Sequence, residues 1–176
     1  FVDIAKQSGC PVTFTLAQNF NRPDQWRACL DLVATACGQG LAVVPQIATR
    51  PIGFVTSLKS YHMFQRRRTY LELATLSFEE RLKALRKPEV KAKILSDEDI
   101  KPELSGSMEN IYGLLGMAAA SMFPLEVPMN YEPEAGGNLG ALAAKAGQAI
   151  DSFVYEFLQG NNGNNFAISL GANFVE

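Results

Sequence analysis

The first fifty positions switch between two hydrophobic rhythms, one with the period of a helix and one with the composition of a strand. Residues 2–7 read as the tail of a helix, which Ser8-Gly9 stops before Pro11 could clash with a continuing turn. Val12-Thr13-Phe14-Thr15-Leu16-Ala17 has strand composition. Asn21-Arg22-Pro23-Asp24 then predicts a helix start, because Asn21 offers a side-chain acceptor and Asp24 a carboxylate for the first turn. Trp26, Cys29 or Leu30, Val33 and Cys37 recur at helical spacing, an apolar stripe that another element must cover. Gly38 and Gly40 end that helix. The next strand, over 41–47, contains Pro45, which removes a ladder donor and predicts an edge, bulge or strand exit. Two short apolar strands around an amphipathic helix are what a parallel βαβ unit requires, since a tight hairpin cannot reach a parallel partner. An α+β domain in which these strands pair with other elements is the competing arrangement.

Residues 51–107 break the rhythm. Arg66-Arg67-Arg68 precede a short helical stretch over 69–74, and Ser77-Phe78-Glu79-Glu80 places an acceptor at a helix start with Glu80 three residues later. Leu82 and Leu85 continue that helix's apolar face. Pro88 permits another first turn, with Val90 and Ile94 on one face. Residues 96–107 mix charge with Pro102 and Gly106 and read as an exposed connection. A further helix spans 108–121, weakened by Gly113 and Gly116; Asn138 caps one reaching Lys145, and Asp151 or Ser152 starts another through Leu158. Residues 160–165 form a turn cluster before a short strand over 166–170.

Composition narrows the classes. The chain has 176 residues, 47% of them hydrophobic and 19% charged, with a net charge of -2. This is the composition of a soluble globular core of one domain's size. The near-neutral balance gathers no phosphates, so no nucleic-acid partner is expected. No apolar run approaches the ~18–20 residues that cross a bilayer, so no membrane partner is expected either. The opening Phe1-Val2-Asp3-Ile4 carries no basic leader and reads as a processing boundary rather than a targeting segment. Three cysteines cannot pair completely, and Cys29 and Cys37 on the apolar helix read as small core residues; a reducing, cytoplasmic setting is the simpler expectation.

Chemistry is sparse. His62 is the only histidine, without the clustered ligands of a transition-metal site; it reads as a loop histidine or a hydrogen-bonding group near substrate rather than a catalytic base. Cys10 has no neighbouring base. Arg66-Arg67-Arg68 could meet a carboxylate or phosphate, although three adjacent arginines in a connection more often face solvent. Gly136-Gly137-Asn138-Leu139-Gly140 follows no strand in a phosphate-binding spacing. Tyr131, Glu132 and Glu134 are weighed as cleft residues against a capped loop. The strongest polar residues stand where the βαβ strands end: Gln18-Asn19 after the first, then Gln46, Thr49 and Arg50 after the second. Carboxyl ends of parallel strands face the ligand crevice, so Gln46 and Arg50 could orient an amide or carboxylate, with loop anchoring as the equal alternative.

Gly9-Cys10-Pro11-Val12-Thr13-Phe14-Thr15-Leu16-Ala17-Gln18, Trp26-Arg27, and Val44-Pro45-Gln46-Ile47-Ala48-Thr49-Arg50-Pro51-Ile52-Gly53 together resemble the N-acyl-D-amino-acid deacylase group of the amidohydrolase superfamily. The likeness continues through Tyr70-Leu71-Glu72-Leu73-Ala74, Leu76-Ser77-Phe78-Glu79-Glu80-Arg81, Leu85-Arg86-Lys87-Pro88-Glu89-Val90, Tyr131-Glu132-Pro133 and Val154-Tyr155-Glu156-Phe157-Leu158. The common order of these segments, rather than any one of them, carries the resemblance.

The resemblance implies an α/β chain forming part of a (β/α)8 TIM-like barrel with a largely helical insertion. Residues 1–53 would be the βαβ barrel portion, 54–130 a helical insertion or lid, and 131–176 a helical return and the start of the next barrel element. It implies a parent hydrolase, zinc-dependent, that cleaves the amide bond of N-acyl amino acids of the D series, the metal polarising the carbonyl and activating water. A complete barrel needs ~250 residues, so 176 read as an inactive internal fragment. The family's histidine pair and aspartate are expected outside it, and where related enzymes present a strand-end histidine this sequence reads Leu16-Ala17-Gln18-Asn19. No metal ligand and no catalytic residue is therefore carried over. The expected substrate-binding residues are Gln18, Gln46, Arg50 and His62. A non-catalytic binding or structural protein on the same scaffold is the alternative, and exposed barrel edges leave room for a homo-oligomer.

Overall fold

The computed structural model describes residues 1–18, 22–50, 52–104, 106–130 and 132–173. The chain is mixed α/β, with a two-stranded and a three-stranded sheet and no closed barrel among the described residues. It divides into two compact units, one of residues 1–53 with 170–176 and one of residues 54–169.

The first unit is the βαβ arrangement that the hydrophobic pattern predicts. Helix α1 (Val2–Ser8) ends on Gly9, whose φ of 66° is the left-handed conformation a side chain would resist. Strand β1 (Val12–Thr15) leads through helix α2 (Gln25–Gly38) to strand β2 (Val43–Gln46), and the strands pair in parallel with Val12 opposite Val43 and Thr15 opposite Gln46. Pro45 sits within the ladder opposite Phe14, so β2 continues through it. Beyond Thr15 the ladder's last bond is Leu16 N–H to the Gln46 carbonyl, 2.9 Å, and the predicted strand over 12–17 stops there. Asn21 lies outside the described residues; α2 starts at Gln25 with Asp24 at its N-cap.

The apolar stripe of α2 keeps Trp26, Cys29, Leu30 and Val33 partly buried as expected and departs from expectation at its last position. Ala36 is the buried residue, 2% exposed, and packs with Ala5 and Val43, whereas Cys37 is exposed and Cys29 half-buried. Positions 36 and 37 lie on either side of the stripe's centre line at 3.6 residues per turn, and the smaller side chain takes the close approach to β2. The Cys37 thiol donates to the Val43 carbonyl at 3.6 Å from the margin.

The second unit is mostly helical. Strand β3 (Ile52–Thr56) enters it, followed by helices α3 (Arg68–Glu72), α4 (Phe78–Leu85) and α5 (Pro88–Ser96). Ser77 and Glu80 form the predicted capping box: the Ser77 hydroxyl accepts from Glu80 N–H, and the Glu80 carboxylate accepts from Ser77 N–H. Pro88 occupies the first turn of α5, where its missing N–H costs nothing. The segment expected as an exposed connection is held to the protein by two of the arginines expected in solvent. Arg66 pairs with Glu109 at 3.1 Å and donates to the Ile100 carbonyl, and Arg67 stands 3.0 Å from Asp99 and donates to the Asp97 carbonyl. Arg67 Nε and Asp99 Oδ1 are close without the alignment of a hydrogen bond.

Helix α6 (Ile111–Ala118) is flanked by 3-10 turns over 108–110 and 119–121, so the helix expected over 108–121 is regular only in its middle. Strand β4 (Phe123–Pro124), helix α7 (Leu139–Lys145), helix α8 (Ile150–Gly163) and strand β5 (Ala167–Ala172) complete the chain, and the second sheet has the order β3-β5-β4. Asn138 caps α7 by accepting from Ala141 N–H at 2.8 Å. The expected turn cluster is visible at the end of α8, where Asn161, Asn162 and Gly163 all take positive φ. The core joins Leu82 and Leu85 of α4, Ile94 of α5, Leu115 of α6, Leu139 of α7 and Val154 and Leu158 of α8. Tyr155 of α8 closes it by donating to the Leu85 carbonyl at 2.9 Å, the bond its buried hydroxyl needs. Residues from 58 to 122 and from 139 to 167 contribute to this one core.

Candidate functional site

Within the first unit, the chain leaving β1 and β2 lines a cleft of about 260 Å³ with Leu16, Ala17, Gln18, Trp26, Ile47 and Asn173. It stands at the carboxyl ends of a parallel strand pair, where each strand gives way to a loop. Its walls are the Trp26 indole and aliphatic side chains; its polar groups are amides.

Asn173, just beyond β5, builds this site. With φ 61° its backbone turns into the left-handed region, which asparagine tolerates better than most residues. Its Oδ1 accepts from Gln18 N–H at 2.9 Å, and its Nδ2 donates to the carbonyls of Ala48 and Arg50, both at 3.3 Å. One side chain therefore ties the exits of β1 and β2 together. It satisfies three backbone groups that no longer have a ladder partner.

The expected site residues are distributed unequally around this clasp. Gln18 lines the cleft and Asn19 lies outside the described residues. Gln46 is exposed on the last position of β2 and is not part of the lining, although its neighbour Ile47 is; successive side chains along a strand point to opposite faces. Arg50 contributes its carbonyl to the Asn173 clasp while its side chain is exposed. Thr49 is exposed. Glu132 and Glu134 are exposed and line none of the described recesses, and Tyr131 lies outside the described residues.

His62 belongs to the second unit, in the loop between β3 and α3, and is 1% exposed. Its Nδ1 accepts from Phe64 N–H at 3.2 Å, which leaves the ring proton on Nε2. The Tyr70 ring meets it edge-on at 4.6 Å. Burial, and secondarily the charge of Arg81, lower its pKa to about 3, so the imidazole is neutral at physiological pH. A histidine held so far below neutrality is a poor general base, and the hydrogen bond of the His62 ring is one it accepts, from Phe64 N–H.

The zinc that the resemblance implies does not fit the residues present. Among the described residues no group of three or more histidine, cysteine, aspartate or glutamate side chains stands together, and the cleft's own donors are amides. Of the cleft residues the sequence singles out Gln18 alone as functional: Leu16, Ala17 and Ile47 read as strand residues, Trp26 as part of the stripe that covers β2, and Asn173 carries only the weak signal of an asparagine at a strand exit. No helix of the described residues is long and apolar enough to cross a membrane. No family model, curated protein or solved structure matches the chain.

Proposed function

We propose that the chain is a portion of an amidohydrolase of the N-acyl-D-amino-acid deacylase type, and that its cleft receives the acyl amino acid. The observation that carries this reading is the cleft itself: an indole and aliphatic side chains at the carboxyl ends of parallel strands, rimmed by amides. Such a lining suits the neutral amide link and the apolar parts of an N-acyl amino acid, whose carboxylate would stay toward solvent. Leu16, Trp26 and Ile47 would cover the acyl chain and the Gln18 side chain would orient the amide, while Asn173, its amide committed to the strand exits, holds the cleft in shape. The parallel β1-α2-β2 unit and the ordered resemblance along the sequence support a partial (β/α)8 barrel as its setting. The zinc and its ligands, together with the acid/base carboxylate, would have to come from outside the described residues, so these residues bind and position but do not hydrolyse.

The amide donor set favours a second reading, a non-catalytic binding protein on the same scaffold. Trp26 is the only tryptophan, so its emission reports the cleft without labelling. Titration with N-acetyl-D-leucine, N-acetyl-L-leucine and free D-leucine is expected to give a saturable change for the acylated compounds alone. The zinc-loaded full-length protein is then assayed for release of leucine from both enantiomers. Saturable binding with hydrolysis supports the hydrolase, and binding without hydrolysis supports the second reading. No saturable change with any acylated compound overturns both.

A further inference from the structure

The second unit holds a recess of about 440 Å³ lined by Leu58, Lys59, Ser60, Tyr61, His62, Gln65, Tyr70 and Arg81, and its charge is unbalanced. Arg81 has no ion-pair partner among the described residues; its guanidinium lies 5.8 Å from the centroids of both the Tyr70 and the Phe78 rings. The adjacent acid, Glu80, is committed to the capping box, where its carboxylate accepts from both the Ser77 N–H and the Ser77 hydroxyl. Lys59 bonds to the neutral Asn164 amide and stands over the Phe78 ring, again without a carboxylate. Two cations therefore face one recess that contains no acidic side chain, beside a neutral imidazole whose Nδ1 is already bonded. An anion would complete it.

The loop also says which kind of anion. Phosphate sites rely on several free backbone N–H groups. Here Lys59 N–H donates to the Ser57 hydroxyl, Ser60 N–H to the Ser57 carbonyl, His62 N–H to Gln65 Oε1 and Phe64 N–H to His62 Nδ1. The charged donors are the forked guanidinium and an ammonium, which match the two oxygens of a carboxylate, and the rest of the wall is Leu58, the rings and hydroxyls of Tyr61 and Tyr70, and the neutral side chains of Ser60, His62 and Gln65. We propose that this recess binds a small organic carboxylate with an apolar body, the carboxylate on Arg81 and Lys59 and the body against Leu58, Tyr61 and Tyr70.

His62 is the only histidine, so its ring Cε1–H resonance reports this recess and no other. At constant ionic strength, sodium phenylacetate is expected to shift that resonance saturably, with phenylacetamide at least about tenfold weaker because it lacks the charge. Arg81→Gln is expected to weaken phenylacetate by about tenfold or more, and Arg81→Lys by less. Arg81 also lies beside two aromatic rings, so far-UV circular dichroism checks the fold of each variant. Should Arg81→Gln not fold, the ratio of phenylacetate to phenylacetamide affinity in the unaltered protein decides. No saturable shift, equal affinity for acid and amide, unchanged affinity in folded Arg81→Gln, or inorganic phosphate binding more tightly than phenylacetate would each overturn the proposal. The proposal does not rest on the hydrolase reading, and the two fail separately, since one is read at Trp26 and the other at His62.

Discussion

The two units solve the same problem, a concave surface with polar groups in place, by different means. In the first, the buried cluster is Ala5, Ala36 and Val43, with Leu16 buried beside the cleft, and Leu32, Val44 and Ile47 remain exposed. One helix cannot cover both faces of a parallel pair, so the strand exits are fixed by hydrogen bonds, chiefly those of Asn173. In the second, helices close around Leu85, Ile94, Leu115, Leu139 and Leu158, all 2% exposed or less, and the recess beside His62 rests on that packing. A site held by a clasp is sensitive to single polar groups, whereas a site held by a core is sensitive to volume.

The largest expected effect tests the core side of this contrast. Leu158→Ala removes a side chain that is 1% exposed in the centre of the second unit and is expected to cost about 3 kcal/mol. Val43→Ala, in the sparse core of the first unit, is expected to cost about 1–2 kcal/mol. Urea unfolding followed by circular dichroism and by Trp26 emission measures both. Equal costs would break the contrast.

A second test uses protons. In the unfolded chain His62 takes up a proton near its ordinary pKa of 6.5, but in the folded protein only near about 3. Between those values the unfolded state binds more protons, so the stability that neutral His62 contributes is complete above about pH 6.5 and is lost as pH falls. From pH 7.5 to pH 5 the loss is expected to be about 2 kcal/mol relative to His62→Leu, which cannot titrate. Urea midpoints at the two pH values give the difference. A gap that does not change with pH would mean that the imidazole is not held neutral by its surroundings.

The clasp is tested by two substitutions at Asn173. Asn173→Ala loses the three side-chain hydrogen bonds and places a Cβ residue at φ 61°, while Asn173→Gly loses the bonds but keeps the backbone free to turn. The alanine variant is expected to cost about 1–2 kcal/mol and the glycine variant less, both with a shift of Trp26 emission toward that of exposed indole. If neither variant moves the emission, Asn173 does not hold the cleft.

What could be read from the sequence follows the range of the interactions involved. The Gly9 stop, the Ser77 capping box, the Pro88 first turn and the Asn138 cap each depend on residues within four positions of one another, and all were legible. The parallel pairing of β1 and β2 was legible as well, because an amphipathic helix between short strands leaves few other topologies. The place of the first cleft, at the strand ends with Gln18 in its lining, was legible, whereas the residues that complete each concavity were not, because those partners are distant. Asn173 bonds to Gln18 across 155 positions, and Arg81 faces His62 from another element. Arg66 and Arg67 escaped for the same reason, their partners lying some thirty to forty residues on. The exchange of Ala36 for Cys37 is a different failure: a helical period cannot separate two neighbours that straddle the stripe, and only the facing strand decides.

The smallest effect isolates local chemistry from packing. Ser77 begins α4 with a reciprocal pair of bonds, whereas Asp24 begins α2 with no side-chain cap bond among the described residues. Ser77→Ala removes an acceptor from Glu80 N–H and also frees the Glu80 carboxylate, whose pKa is held down first by its side-chain bond to Ser77. The expected cost is about 1 kcal/mol. Asp24→Ala loses a dipole effect and an exposed ion pair with Arg27 at 3.6 Å, and is expected to cost about 0.5 kcal/mol. Thermal unfolding of the two variants side by side checks the order. A reversal would mean that α2 relies on its cap more than α4 does, and that the first unit compensates its thin core through its helix ends as well as through Asn173.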